Sequence, residues 1–118
     1  LHTCRQVIRH SASAIRAVHR QEGDKARELV ASAQKLVCDM NSDLSEYGRL
    51  LHSGFVHDAQ KEFAEGCITL ALIAKEELPK PEALDVDYAA YLDGLGEAVG
   101  ELRRYVLDNL RRGDFSRC

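Results

Sequence analysis

Apolar residues recur every three or four positions along most of the chain, and no stretch shows the sustained alternation of a half-buried strand. Cys4, Val7, Ile8, Ala14, Ile15 and Val18 share one side of a helix predicted over about residues 2 to 21. Ser11 falls inside that stripe, where its hydroxyl can bond back to a carbonyl one turn earlier. Gly23 is expected to stop this helix and Asp24 to cap the next, which runs to about Asp43 with Ala26, Leu29, Val30, Ala33, Leu36, Val37 and Met40 inward. SEYGRLLHSG reads as a short helical or irregular turn of the chain. A third helix over about residues 55 to 76 has Phe55, Ala59, Phe63 and Leu70 on its apolar face and runs into CITLALIA, which is apolar all round. Pro79 and Pro81 mark a loop, ELPKPEALDVD. A fourth helix starts near Asp87 or Tyr88 and ends at Gly113, with Tyr88, Leu92, Leu95, Val99, Leu102 and Val106 as its expected inward stripe. The pattern predicts an all-α antiparallel helical bundle, one domain over residues 1–118.

Charge adds an asymmetry. The net charge is −3, which argues against general wrapping of nucleic acid, but residues 1–22 hold four arginines and a single glutamate. At 100° per residue, Arg5, Arg9, Arg16 and Arg20 fall within about 60° of one another. Four guanidinium groups in a line suit consecutive phosphates of a nucleic-acid strand; a solvated helix face gives the same pattern. Cys4, Cys38, Cys67 and Cys118 form no C-x-x-C pair and read as free thiols of a reducing cytosol, which places the protein in the cytoplasm. No apolar run approaches the roughly 18 residues of a membrane span.

The third helix carries the first candidate chemistry. Asp58, Glu62 and Glu65 lie within about 60° of one another, and like charges so spaced repel. Lys61 is about 100° from Glu62, so the helix itself offers no evident counter-ion. A divalent cation removes the repulsion, and hard oxygen ligands suit Mg²⁺ or Mn²⁺. A solvated acidic face is the competing explanation. His57 lies about 100° off that face and reads as structural.

The fourth helix, YLDGLGEAVGELRR, holds Gly94, Gly96 and Gly100 inside a helical pattern, each costing about 1 kcal/mol relative to Ala. Such a helix usually needs close approach of another backbone or a ligand. Glu97 and Glu101 are expected opposite its apolar stripe, where they form either a solvated pair beside an oligomer contact or the second half of a four-carboxylate site. Glu62 and Glu101 are followed at +3 by Glu65 and Arg104, not by histidine, so a di-iron motif is not completed. An all-oxygen Mg²⁺ or Mn²⁺ site, with phosphodiester hydrolysis as its chemistry, fits better.

IRAVHR (15–20), SGFVHDAQKEFAEG (53–66) and YLDGLGEAVGELRRYVLDNLRRGDFSRC (91–118) together resemble the translin superfamily, which includes translin, translin-associated factor X and prokaryotic relatives. The resemblance covers nearly the whole chain. It implies an all-α protein that assembles into a ring-like or shell-like oligomer, commonly an octamer, and binds single-stranded RNA or DNA on its inner surface. In the nuclease branch it implies Mg²⁺-dependent endoribonuclease activity. The acidic residues of that branch fall here on Glu62 and Glu65 in QKEFAE and on Glu97 and Glu101 in GEAVGE. The pure binding branch lacks the full set. Two departures stand out: Glu97 occupies a position where the family carries Asp, and family members continue past GDFSR into further helices, so the chain reads as C-terminally truncated.

The expectation is therefore a single-stranded RNA- or DNA-binding protein with Mg²⁺-dependent (or Mn²⁺-dependent) endoribonuclease activity of the translin-associated factor X type. Glu62, Glu65, Glu97 and Glu101 are its expected metal ligands and catalytic groups, and Arg5, Arg9, Arg16 and Arg20 the contacts to the strand. The alternatives are a non-catalytic translin-like binder or scaffold subunit, and a structural helical domain whose glycine-rich helix is an oligomer seam.

Overall fold

A computed structural model of the chain describes residues 2–43 and 53–113. The elements are α1 (His2–His19), α2 (Gly23–Asp43), α3 (Ser53–Ala74), a single turn α4 (Pro81–Leu84) and α5 (Tyr88–Arg111). No strand occurs among the described residues, and the all-α class holds. The segment read as SEYGRLLHSG lies largely outside them, as does Cys118.

The helices begin and end close to their predicted limits, but the stops differ in chemistry. Gln21 (φ 62°), not Gly23, takes the left-handed conformation after α1, and Gly23 already belongs to α2. The N–H of Glu22 donates to the Ala17 carbonyl at 2.8 Å and that of Gln21 to Val18 at 3.0 Å, which is the Schellman pairing. Lys75 (φ 59°) ends α3 in the same way, with Glu76 N–H on Ala71 and Lys75 N–H on Leu72. Glycine is favoured at such positions, so reading Gly23 as the stop misplaces the end of α1.

α3 is the centre of the bundle. Residues 63–69 are buried on every side, which accounts for the all-round apolar character of CITLALIA. α1 and α2 form an antiparallel hairpin, with Cys4 Sγ 3.3 Å from Met40 Sδ at one end. Against α3, α1 presents Ser11 to Gly66, where an added Cβ would lie 3.5 Å from the Ser11 carbonyl oxygen. Ser11 Oγ is buried and makes no hydrogen bond, so the expected back-bond to the helix does not form. Ala26, Ala33, Val37 and Met40 of α2 are buried as their periodicity predicts. The chain then returns through residues 75–87, pinned by Tyr91 Oη donating to the Pro79 carbonyl (2.7 Å) and by Asp87 N–H donating to Gln60 Oε1 (3.0 Å). This return sets α5 beside α3 in the same direction: His57 meets Asp93, Ala64 meets Gly94, and Leu70 and Ile73 pack with Tyr105.

The face that α5 buries corrects half of the sequence expectation: of the predicted stripe, Leu95, Leu102 and Val106 are half-buried. Tyr88, Leu92 and Val99 are exposed by 66%, 63% and 57%, while Ala90, Gly94, Ala98, Tyr105 and Asn109 are buried. Small residues at i, i+4 and i+8 let the two backbones approach, and that close contact outweighs the larger side chains turned outward. Phe55, expected inward on α3, is likewise 59% exposed. No helix among the described residues is long and apolar enough to cross a membrane.

Candidate metal centre

Turning α5 onto its small-residue face brings its carboxylates toward α3. Glu97 and Glu101 flank the buried row instead of standing opposite it, so the expected solvated pair faces the helix that carries Glu62 and Glu65. One carboxylate oxygen each from Glu62, Glu65 and Glu97 lies within 4.8 Å of the other two. Glu65 is 6% exposed, Glu62 is half-buried and Glu97 opens to solvent. The cluster is thus a shallow site with a buried floor.

The fourth predicted ligand stands slightly apart. Glu101 is not within the group of three; its Oε2 lies 2.5 Å from His19 Nε2 on α1. Asp58 adds negative field at Glu62 but is also outside the group. His57 pairs with exposed Asp93 at 3.0 Å and stays away from the cluster.

Burial and crowding raise the carboxyl pKa values of Glu65 and Glu62. Burial first, then the hydrogen bond with Glu97 and the charges of Glu62, Glu97 and Glu101, push the Glu65 carboxyl up to about 8. Burial, with Glu97 next, also raises the Glu62 carboxyl, against the pull of Lys61. Contrary to the sequence expectation, Lys61 is a counter-ion: Nζ lies 3.3 Å from Glu97 Oε1 and 3.8 Å from Glu62 Oε1. Burial alone would lower the Lys61 pKa, but Glu97, Glu62 and Asp58 outweigh it and raise it. The long lysine stem bends across the 100° that separates Lys61 from Glu62 and spans the gap to the neighbouring helix.

A hard divalent cation suits this donor set. Three oxygen donors converge, one of them buried, with the Lys61 ammonium beside two of them. Arg5, Arg9 and Arg16 are exposed on α1 and Arg20 is exposed in the turn that follows it, and none is ion-paired among the described residues; Arg16 Nη2 donates to Ser13 Oγ at 2.9 Å. Arg16 and Arg20 stand beside Lys25 and Leu29 near the start of α2, so the described contacts do not bring the stripe to the acidic cluster. Sequence reasoning missed His19. Its only signal was a histidine four residues after Ile15, at the edge of the buried stripe.

No family model matches the chain. An uncharacterised protein of Methanocaldococcus jannaschii, MJ0175, is 25% identical over 95% of this chain and 50% of its own length. The crystal structure of AfC3PO superposes with a TM-score of 0.85 at 28% identity, covering 98% of this chain and 60% of that one. A structure of AfC3PO in complex with duplex RNA gives a TM-score of 0.81, also at 28% identity, covering 98% and 59%. The chain therefore spans about half the length of its curated relative and three-fifths of the solved one. The fold agrees with that of AfC3PO over nearly all of this chain's residues, a similarity consistent with a translin-like relative.

Proposed function

We propose that the protein is a metal-dependent endoribonuclease of the translin type. The convergence of Glu62, Glu65 and Glu97 from two helices, with Glu65 buried, carries the proposal. These three carboxylates, with Glu101 beside them, would hold Mg²⁺ or Mn²⁺. When bound, such an ion neutralises phosphate oxygens and lowers the pKa of water. The chain's own groups do the rest. Arg5, Arg9, Arg16 and Arg20 hold the RNA backbone along α1, and the open side at Glu97 admits it. A carboxylate oxygen not engaged with the ion accepts a proton. That a solved relative takes duplex RNA supports RNA as the nucleic acid and makes duplex as well as single-stranded RNA a substrate to test. A homo-oligomer belongs to the same proposal, with the exposed Tyr88, Leu92 and Val99 stripe of α5 as its contact surface.

The test is cleavage of RNA with Mn²⁺. Wild type should cleave, and Glu65→Gln should lose cleavage by at least about 100-fold while still binding RNA. Equal cleavage by the two proteins would sink the proposal, because the signal would then come from a contaminant.

One observation favours a second reading. Lys61 already supplies a cation between Glu62 and Glu97. A translin-like binder or scaffold subunit without catalysis needs no more than that. It would bind nucleic acid in a salt-sensitive way, indifferent to EDTA and to loss of the glutamates.

A further inference from the structure

His19 of α1 reaches Glu101, which stands beside the acidic cluster. Its side chain is 9% exposed, and Nε2 lies 2.5 Å from Glu101 Oε2. A carboxylate oxygen accepts, so Nε2 carries the hydrogen. The ring tilts against Tyr105 with centroids 6.3 Å apart. Nδ1 is buried without a partner. With the hydrogen on Nε2, Nδ1 presents only a lone pair, and no ring N–H is buried without an acceptor.

The consequence falls on Glu101. A glutamate head on a flexible stem samples several rotamers unless something fixes it. Here a histidine held by burial and by an aromatic neighbour takes one oxygen, Oε2, and leaves Oε1 as the oxygen able to turn to the cluster. Glu101 already stands close enough to add to the negative field at Glu65.

We propose that His19 is a positioning residue, whose Nε2–H orients Glu101 toward the cation site formed with Glu62, Glu65 and Glu97. The inference rests on the metal-site reading above. Hydrogen-bond partners of ligating carboxylates act in this way, and their loss typically costs about 10- to 100-fold in metal affinity.

The experiment measures Mn²⁺ affinity of the chain by the electron paramagnetic resonance of free Mn²⁺. It compares wild type, His19→Met, which removes the donor, and His19→Gln, which returns an N–H near the Nε2 position. His19→Met should bind Mn²⁺ at least about tenfold more weakly at an unchanged melting temperature, and His19→Gln should recover to within about threefold of wild type. Equal affinity in wild type and His19→Met overturns the proposal. A His19→Gln protein as weak as His19→Met also overturns it, because the ring then serves packing alone. Failure of wild type to bind Mn²⁺ is a different result: it removes the metal-site reading, and this inference with it. A second measurement needs no variant. The His19 ring-nitrogen resonance of the wild-type protein should shift as Mg²⁺ is added; a resonance unmoved while other site signals saturate contradicts the proposal.

Discussion

A Cβ built on Gly94 of α5 would lie 2.8 Å from the carbonyl oxygen of Lys61 on α3 and 2.9 Å from the Glu65 backbone nitrogen. Two backbones therefore meet one turn away from the carboxylate cluster, and the spacing of Glu97 from Glu65 depends on that contact.

Gly94→Ala should pry the helices apart. Overpacking against backbone costs about 1–3 kcal/mol, against a helix-propensity gain of about 1 kcal/mol. The expected net result is a lower melting temperature together with weaker Mn²⁺ binding. Gly96 and Gly100 have nothing within 4 Å of an added Cβ. Ala at either position should raise stability by about 0.5–1 kcal/mol. Thermal melts of the three variants separate the roles; equal stabilisation by all three would contradict the packing described here.

Glu65 predicts a pH dependence of defined sign. Its carboxyl is raised from 4.5 to about 8, so the folded state holds a proton that the unfolded chain releases more readily. The stability from this group is fully present below about pH 4.5 and is lost as pH rises through about 8. Metal-free protein should thus lose stability across that window, and Glu65→Gln should flatten the loss. Mn²⁺ must displace the proton, so affinity should rise with pH up to about 8, with proton release measurable by calorimetry in buffers of different ionisation enthalpy. Affinity that falls with pH over the same range would contradict this assignment.

The arginine stripe predicts a salt effect. Each phosphate contact adds about 0.9 to the slope of log affinity against log salt on duplex, and about 0.7 on single strands. Replacing Arg9 or Arg16 with Gln should lower that slope by about one such step and weaken binding to all sequences alike. Fluorescence anisotropy on labelled RNA across a salt series checks it. An unchanged slope would return the stripe to a solvated face.

Much of the fold was legible because α1 and α2 obey a single rule, large apolar residues inward, as Val7, Ile15, Val37 and Met40 show. α5 obeys a different one. Tyr88, Leu92 and Val99 point outward, and Ala90, Gly94 and Ala98 make the close contact, while Tyr91, Leu95 and Tyr105 pack inward beside them. Periodicity of size therefore misjudged Tyr88, Leu92 and Val99 while Leu95, Leu102 and Val106 are half-buried, although the glycine count had signalled a close approach. The acidic cluster was legible from spacing within α3, but only tertiary packing could show that Glu97 joins it while Glu101 turns to His19. Lys61 escaped for a similar reason: the angle of a Cα around a helix says little about where a four-carbon stem ends.

The most direct test of the metal centre is a crystal of the protein grown with Mn²⁺ and examined for anomalous scattering. A peak bounded by oxygens of Glu62, Glu65 and Glu97 at about 2.1 Å, with Lys61 Nζ moved off Glu97, is the expected result. A map without manganese at this cluster under saturating Mn²⁺, with Lys61 still between Glu62 and Glu97, would contradict the metal centre and leave the non-catalytic binder in its place.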